Sequence, residues 1–320
     1  MKSDFRKMAE LAVGGDGFYK KGFNGVKGIY APKDRKAEFI ACDGGDFCYV
    51  KSELGLPVIY PYKETVFSPK AEVLLMDLDG TTVTSEEFWI YIIERTVQEL
   101  LHDPKFTLEN ADVPFVSGHS TADHLMYCIH KYAEGKELGE AMEIYHRITK
   151  FEMSEIMAGR GNVNAFTPAP HLKEFLTEVK KNGIKIGLVT SGLDYKAMPE
   201  IVSAFRKLNM GDPVRFYDGI INAGFQKEGR VGTLGEVCAK PHPWLYFELA
   251  KIGLNASAPE KVVGIEDSSA GVLSLKLAGY NVIGLTTGNI DQSGVASLCS
   301  SRATDLMEAL PYILEGKARD

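Results

Sequence analysis

Val73-Leu74-Leu75-Met76-Asp77-Leu78-Asp79-Gly80-Thr81 is the stretch on which the reading of this chain turns. Its first four residues form a continuous apolar run, too short for a helix and not alternating. That is the pattern of a parallel strand buried on both faces. Two carboxylates then appear abruptly, just before a glycine. Residues i and i+2 of an extended chain face the same side, about 6.6 Å apart at a rise of about 3.3 Å per residue. The separation is too long for two carboxylates sharing a proton. It suits one carboxylate attacking a phosphorus while the other reaches the leaving oxygen. Asp-Gly is also a common turn pair, so Asp-x-Asp alone does not decide between chemistry and a solvated turn.

Three further runs share the character of Val73–Met76: Ile184–Val189, Lys261–Ile265 and Asn281–Leu285. Helical patterns lie between them, over His171–Lys181, Pro243–Ile252 and Ala270–Ala278. Such alternation predicts an α/β fold, an open parallel sheet with helices on both faces. From about residue 86 to 170 the strand signal disappears, and only helical patterns remain, at Glu87–Leu101, Ser120–Tyr132 and Leu138–Ala158. The expected division is therefore a core over 71–85 and 171–320, an inserted all-helical cap over 86–170, and a small β-rich N-terminal extension over 1–70. That extension holds 11 of the 30 Phe and Tyr residues. A chain so rich in aromatics argues for packing and against a disordered tail. After a short helical start over Ser3–Val13, its clearest signal is a hairpin, Glu38–Cys42 and Phe47–Val50 around Asp43-Gly44-Gly45-Asp46.

Ligands of open α/β sheets sit beyond the carboxyl ends of the strands. The second run ends in Thr190-Ser191-Gly192, where a hydroxyl and free backbone N–H groups can bind an anion. Lys240 follows in Ala239-Lys240-Pro241-His242-Pro243, where proline can start the next helix. The next strand ends in Glu266-Asp267, two acids emerging from a run of valines. An oxygen-rich set built from Asp77, Asp79 and Asp267 suits Mg²⁺, which takes one or two carboxylates plus waters and phosphate oxygens. Each signal has an ordinary explanation by itself. All four in this order, each at the end of a strand pattern, do not share one.

In these motifs the chain resembles the haloacid dehalogenase-like superfamily of phosphotransferases over residues 72–290. The resemblance lies in Asp77-Leu78-Asp79-Gly80-Thr81, Thr190, Lys240 and Glu266-Asp267, with a helical insertion placed like the family's first cap type. It implies a Rossmann-like three-layer core and Mg²⁺-dependent phosphoryl transfer. By the same resemblance Asp77 is the nucleophile and Asp79 the general acid and base. The metal ligands would be Asp77, the backbone carbonyl of Asp79 and Asp267, with Glu266 behind them, and Thr190, Ser191 and Lys240 would hold phosphate. Asp79 argues against the dehalogenase branch, which lacks a second aspartate. β-Phosphoglucomutases carry an Arg in a cap loop where Thr121 stands in Gly118-His119-Ser120-Thr121-Ala122-Asp123, leaving His119 as a candidate substrate contact. The leading expectation is a phosphatase for a small phosphorylated metabolite, sugar phosphates first. The alternatives are a sugar phosphomutase and, from another class, a non-catalytic phosphometabolite-binding protein.

Composition agrees with this reading. The chain is 320 residues long, 45% hydrophobic and 25% charged, the balance of an ordinary globular protein. Its net charge of −7 argues against nucleic-acid and anionic-membrane partners. The charge is uneven: 12 basic against 9 acidic residues in 1–70, and 24 against 34 in 71–320. Five scattered cysteines, no apolar leader and no long apolar span point to a reduced, cytoplasmic protein. Five of the seven histidines lie in the expected cap without metal-binding spacing. The stretch from Asn222 to Cys238 is longer than a usual link and is expected to border the site.

Overall fold

The computed structural model describes residues 4–51, 58–109, 111–112, 121–223 and 239–318. His119 and most of the long stretch before Lys240 lie outside the described residues. The chain forms two compact units. One comprises Met1–Thr82, Ala169–Asp194 and Gly211–Asp320, and the other Val83–Pro168 and Tyr195–Met210.

The first unit begins with β1 (Ala9–Leu11), β2 (Val26–Ala31), β3 (Ala37–Cys42), β4 (Gly45–Val50) and β5 (Val58–Tyr62), an antiparallel sheet in that order. β3 and β4 form the expected hairpin, with Phe39 opposite Cys48 and Cys42 opposite Gly45. The expected helix over Ser3–Val13 is corrected to a single 3-10 turn, Phe5–Lys7, capped by the Asp4 side chain and followed by β1. A helix that short is marginal in water. Pairing Ala9–Leu11 with β2 and stacking Phe5 on Phe39, at 5.1 Å between centroids, stabilises the extended form instead.

Alternation along β3–β5 divides the side chains of this sheet. Ile29, Ile40 and Tyr49 pack with Leu11 and Tyr19 on one face. Phe39, Ala41, Cys48, Val50 and Tyr62 on the other join the same apolar core as Val73, Leu75, Leu273 and Val282. Residues 1–70 are thus built into the first unit and do not stand as a separate body.

The parallel sheet of that unit consists of β6 (Val73–Asp77), β9 (Lys185–Val189), β10 (Gly219–Ile221), β11 (Val262–Glu266), β12 (Asn281–Leu285) and β13 (Ser301–Ala303), in the order β10-β9-β6-β11-β12-β13. β6, β11 and β12 are buried along their whole length, which accounts for their continuous apolar runs. The chain runs outward from β6 through β9 to β10, then returns to β11 on the other side of β6. The strand order reverses there, the place where open α/β sheets leave a crevice for ligands.

The second unit contains the short pair β7 (Val83–Thr84) and β8 (Thr167–Pro168) and three helices, α1 (Glu86–Leu101), α2 (Thr121–Tyr132) and α3 (Leu138–Met157). Phe88, Ile92, Ile93, Val97 and Leu100 bury one stripe of α1, and Ala141, Tyr145, Ile148 and Ile156 bury the corresponding stripe of α3. α4 (Leu172–Lys181) returns to the first unit. α5 (Asp194–Lys207) places Tyr195–Met210 with the helical unit, a segment that the sequence pattern had assigned to the core. The remaining helices are α6 (Pro213–Phe216), α7 (Trp244–Glu248), α8 (Ser269–Leu277), α9 (Ile290–Ser293) and α10 (Leu306–Glu315). No helix among the described residues is long and apolar enough to cross a membrane.

Candidate active site

Strand register assembles the site. β6 pairs with β9 through Asp77 opposite Val189, and with β11 through Met76 opposite Ile265. The residues that end these strands therefore emerge side by side: Thr190 and Ser191 on one flank of Asp77, Glu266 and Asp267 on the other. One carboxylate oxygen from each of Asp77, Glu266 and Asp267 lies within 4.8 Å of the others.

Lys240 enters this cluster from the loop before α7. Its ammonium donates to the Asp77 carboxylate and, at 2.7 Å, to Glu266 Oε1. The Lys240 side chain is only 6% exposed and Glu266 is fully buried, so the network is dry. Glu266 also accepts from the Tyr246 hydroxyl at 2.5 Å and from the Ser268 hydroxyl at 3.0 Å. The Lys240 backbone N–H donates to Ser191 Oγ at 3.0 Å, joining the second strand end to the lysine loop. Thr190 is buried, and its hydroxyl accepts the Gly192 N–H at 2.9 Å. Asp79 is exposed at the mouth, two residues beyond Asp77.

Two glycines permit this crowding. Gly80 has φ +80°, and a Cβ there would stand 2.1 Å from Asp267 Oδ2. At Gly288 a Cβ would stand 2.1 Å from the Asp267 carbonyl oxygen, which accepts the Asn289 N–H at 2.9 Å. The Thr286–Asn289 turn thus closes directly over Asp267.

Three clustered carboxylates against one ammonium leave up to two negative charges uncompensated in a buried place. Burial, with Glu266 next, pushes Asp267 up to about 7 and raises Asp77 well above the usual carboxylate range; Lys240 acts against both rises. Asp77 and Glu266 hold the Lys240 ammonium protonated more firmly than usual, although burial opposes them. A hard divalent cation among these oxygens would balance the charge, and the donor set fits one.

The structure brings together Asp77, Lys240, Glu266 and Asp267, with Thr190 and Ser191 alongside and Asp79 at the rim. Tyr246, Ser268 and Asn289 were not anticipated. Ser268 stands next to Asp267 and also caps α8 by accepting the Gly271 N–H, a signal readable from its position before a helix. Tyr246 had no such signal.

Comparison with known proteins agrees with the strand-end geometry. The model of the haloacid dehalogenase-like hydrolases matches residues 71–279. Phosphoglycolate phosphatases of Yersinia pseudotuberculosis serotype I (strain IP32953) and of Yersinia pestis are each 31% identical over 120 residues, 37% of this chain and 43% of theirs. The chain thus aligns with less than half the length of these relatives. Among solved structures, CbbY of Rhodobacter sphaeroides in complex with phosphate superposes with a TM-score of 0.52 at 17% identity, covering 75% of this chain and 96% of that one. A predicted phosphoglycolate phosphatase of Haemophilus somnus 129pt superposes with a TM-score of 0.55 at 18% identity, covering 75% and 97%. At such identities these two establish the shared fold. Residues 71–279 include every strand end that feeds the acidic cluster, from Asp77 to Asp267, and by that match the chain belongs to the haloacid dehalogenase-like hydrolases.

Proposed function

We propose that this protein is a Mg²⁺-dependent phosphatase that hydrolyses a small phosphorylated metabolite through an aspartyl-phosphate on Asp77. The observation that carries the reading is the buried pair of Asp77 and Glu266 on the Lys240 ammonium, with the half-buried Asp267 carboxylate beside them, at the point where the strand order reverses. Asp77 attacks the phosphorus, and Asp79, near the solvent, protonates the departing oxygen. Asp79 then takes a proton from the water that releases inorganic phosphate from Asp77. Lys240, held between Asp77 and Glu266, pairs with phosphoryl oxygens as charge develops on them, with Thr190 and Ser191 supplying hydrogen bonds. Asp77, the Asp79 carbonyl and Asp267 would hold the metal, with Glu266 behind them. When bound, Mg²⁺ supplies the positive charge that lets a phosphate dianion approach a carboxylate.

The relatives set the substrate panel: 2-phosphoglycolate, after the Yersinia enzymes, and sugar phosphates and bisphosphates, after CbbY, whose mutant was crystallised with xylulose-(1,5)bisphosphate. Phosphate release is measured with Mg²⁺ and with EDTA, on the full chain and on Asp77→Asn. The expected result is turnover of at least one ester that EDTA abolishes and that Asp77→Asn lowers by three orders of magnitude or more. An isomerised sugar phosphate without free phosphate would replace this reading with a phosphomutase. No turnover of any ester by a protein that still binds phosphate would replace it with a binding protein.

A further inference from the structure

We propose that the N-terminal sheet is part of the catalytic apparatus, with Tyr60 of β5 acting as a positioning residue for Lys240 through His242. The kinetic side of this inference rests on the phosphatase reading above; the structural side does not. Lys240 lies outside any regular element, so nothing in its own segment fixes its backbone through a helix or ladder. Its own N–H is held by Ser191 Oγ, and the loop is fixed from three further sides at His242, two residues on. The His242 N–H donates to the Ala239 carbonyl at 3.0 Å, closing the turn that contains Lys240. The His242 carbonyl accepts from the Ser274 hydroxyl of α8 at 2.6 Å. The His242 ring shares a hydrogen bond of 2.7 Å between Nδ1 and the Tyr60 hydroxyl, and the two rings meet edge to face at 5.9 Å. His242 is 2% exposed, so the ring bond is made away from bulk water.

Tyr60 is in turn firmly placed. Along β5, Ile59 and Pro61 point outward, whereas Tyr62 is buried against Phe5 and Phe39 at 5.4 and 4.9 Å. Just beyond the strand, Glu64 accepts from the Tyr62 hydroxyl at 2.5 Å and pairs with the buried Lys276 ammonium of α8 at 2.6 Å. The sheet and α8 therefore hold His242 together, one by its ring and the other by its carbonyl. Residues 1–70, and with them Tyr60, lie outside the matched family region, so the family match does not account for this brace. Displacing a catalytic group by about 1 Å can cost roughly 100-fold in rate. A lysine that must reach two carboxylates at once is exposed to that penalty.

The test uses the full chain and two readouts. Reductive methylation of Lys240, followed by mass spectrometry, reports its burial whether or not a substrate is known. Wild type and Ile59→Ala, on the outward face of the same strand, are expected to protect Lys240 equally. Tyr60→Phe, which keeps the ring and loses the hydroxyl, is expected to expose it to labelling at least 10-fold faster. His242→Leu gives the same phenotype, and the double variant is no worse than the stronger single one, as expected for one shared bond. His242→Asn, which can present an oxygen near the Nδ1 position, restores protection. On any ester that wild type turns over, Tyr60→Phe lowers kcat by about 10- to 100-fold with KM within about twofold. Unchanged labelling of Lys240 in both folded single variants would overturn the proposal. Changed labelling in a protein that hydrolyses nothing would sustain it and reject the phosphatase reading alone.

Discussion

Glu266 has no solvent exposure and serves four donors at once, the Lys240 ammonium, the Tyr246 hydroxyl, and the hydroxyl and backbone N–H of Ser268. Without Glu266 the Lys240 ammonium keeps Asp77, but the buried Tyr246 hydroxyl loses its acceptor, and a buried donor left unmet costs about 1–3 kcal/mol. Glu266→Ala is accordingly expected to lose stability of that order in urea melts; a loss below about 1 kcal/mol would show the pocket to be wetter than its burial implies. Gly80 offers a second, differential case. Gly80 and Gly17 share a left-handed backbone, at φ +80° and +73°, but only at Gly80 would a Cβ collide with another group. Gly17→Ala should show the backbone strain alone, about 1 kcal/mol. Gly80→Ala should be clearly less stable and should also displace Asp267, so equal melting temperatures for the two variants would deny the close approach. Asp-Gly was legible in the sequence as a turn, but what the glycine makes room for was not, because Asp267 is 187 residues away.

At the scale of elements, α10 starts at Asp305, whose side chain accepts the Met307 N–H at 2.7 Å and also meets His171 Nδ1 at 2.7 Å. Asp305→Ala removes the cap, at a cost of about 1 kcal/mol. The hydrogen bond and charge of Asp305 also raise the His171 pKa above its ordinary value. A raised folded value means that this pairing stabilises fully below about pH 6.5 and is lost as pH rises through the folded value. The penalty of Asp305→Ala in melts should therefore be larger near ~pH 5.5 than near ~pH 9, where the cap alone remains. A penalty independent of pH would mean that His171 does not titrate against Asp305. Helices α1, α3, α4 and α8 were readable from their patterns to within a few residues, because the spacing of apolar residues is a local property. α8 held a further message. Its Val272, Leu273, Leu275 and Lys276 are all buried, and a helix buried all round needs a covering layer on its outer side. Val272, Leu273 and Leu275 share one apolar core with Phe39 and Tyr62 of the N-terminal sheet, which supplies that layer.

For the whole molecule, the N-terminal sheet is the part whose role depends most on its neighbours. Phe5, Phe39, Cys48, Val50 and Tyr62 belong to one apolar core with Leu245, Leu273 and Tyr280. Deleting residues 1–68 would expose that surface and remove Glu64, the partner of Lys276. The expected result is insoluble protein, or soluble protein that binds a hydrophobic dye strongly; a soluble, cooperatively melting remainder would make the sheet dispensable. By itself the sequence determined four of the six strands of the parallel sheet, though not the short edge strands β10 and β13, together with the acids and the lysine at strand ends, the helical insertion and the hairpin. These follow from local periodicity and from polar residues appearing where a buried run stops. Only the tertiary structure decided that the Lys240 ammonium joins Asp77 to Glu266, that Tyr246 completes their network, and that Tyr60 reaches His242 across 182 residues. Those pairings depend on strand order, register and the shapes that pack between the two sheets, and no local pattern in a chain encodes which distant side chain will fill a given gap.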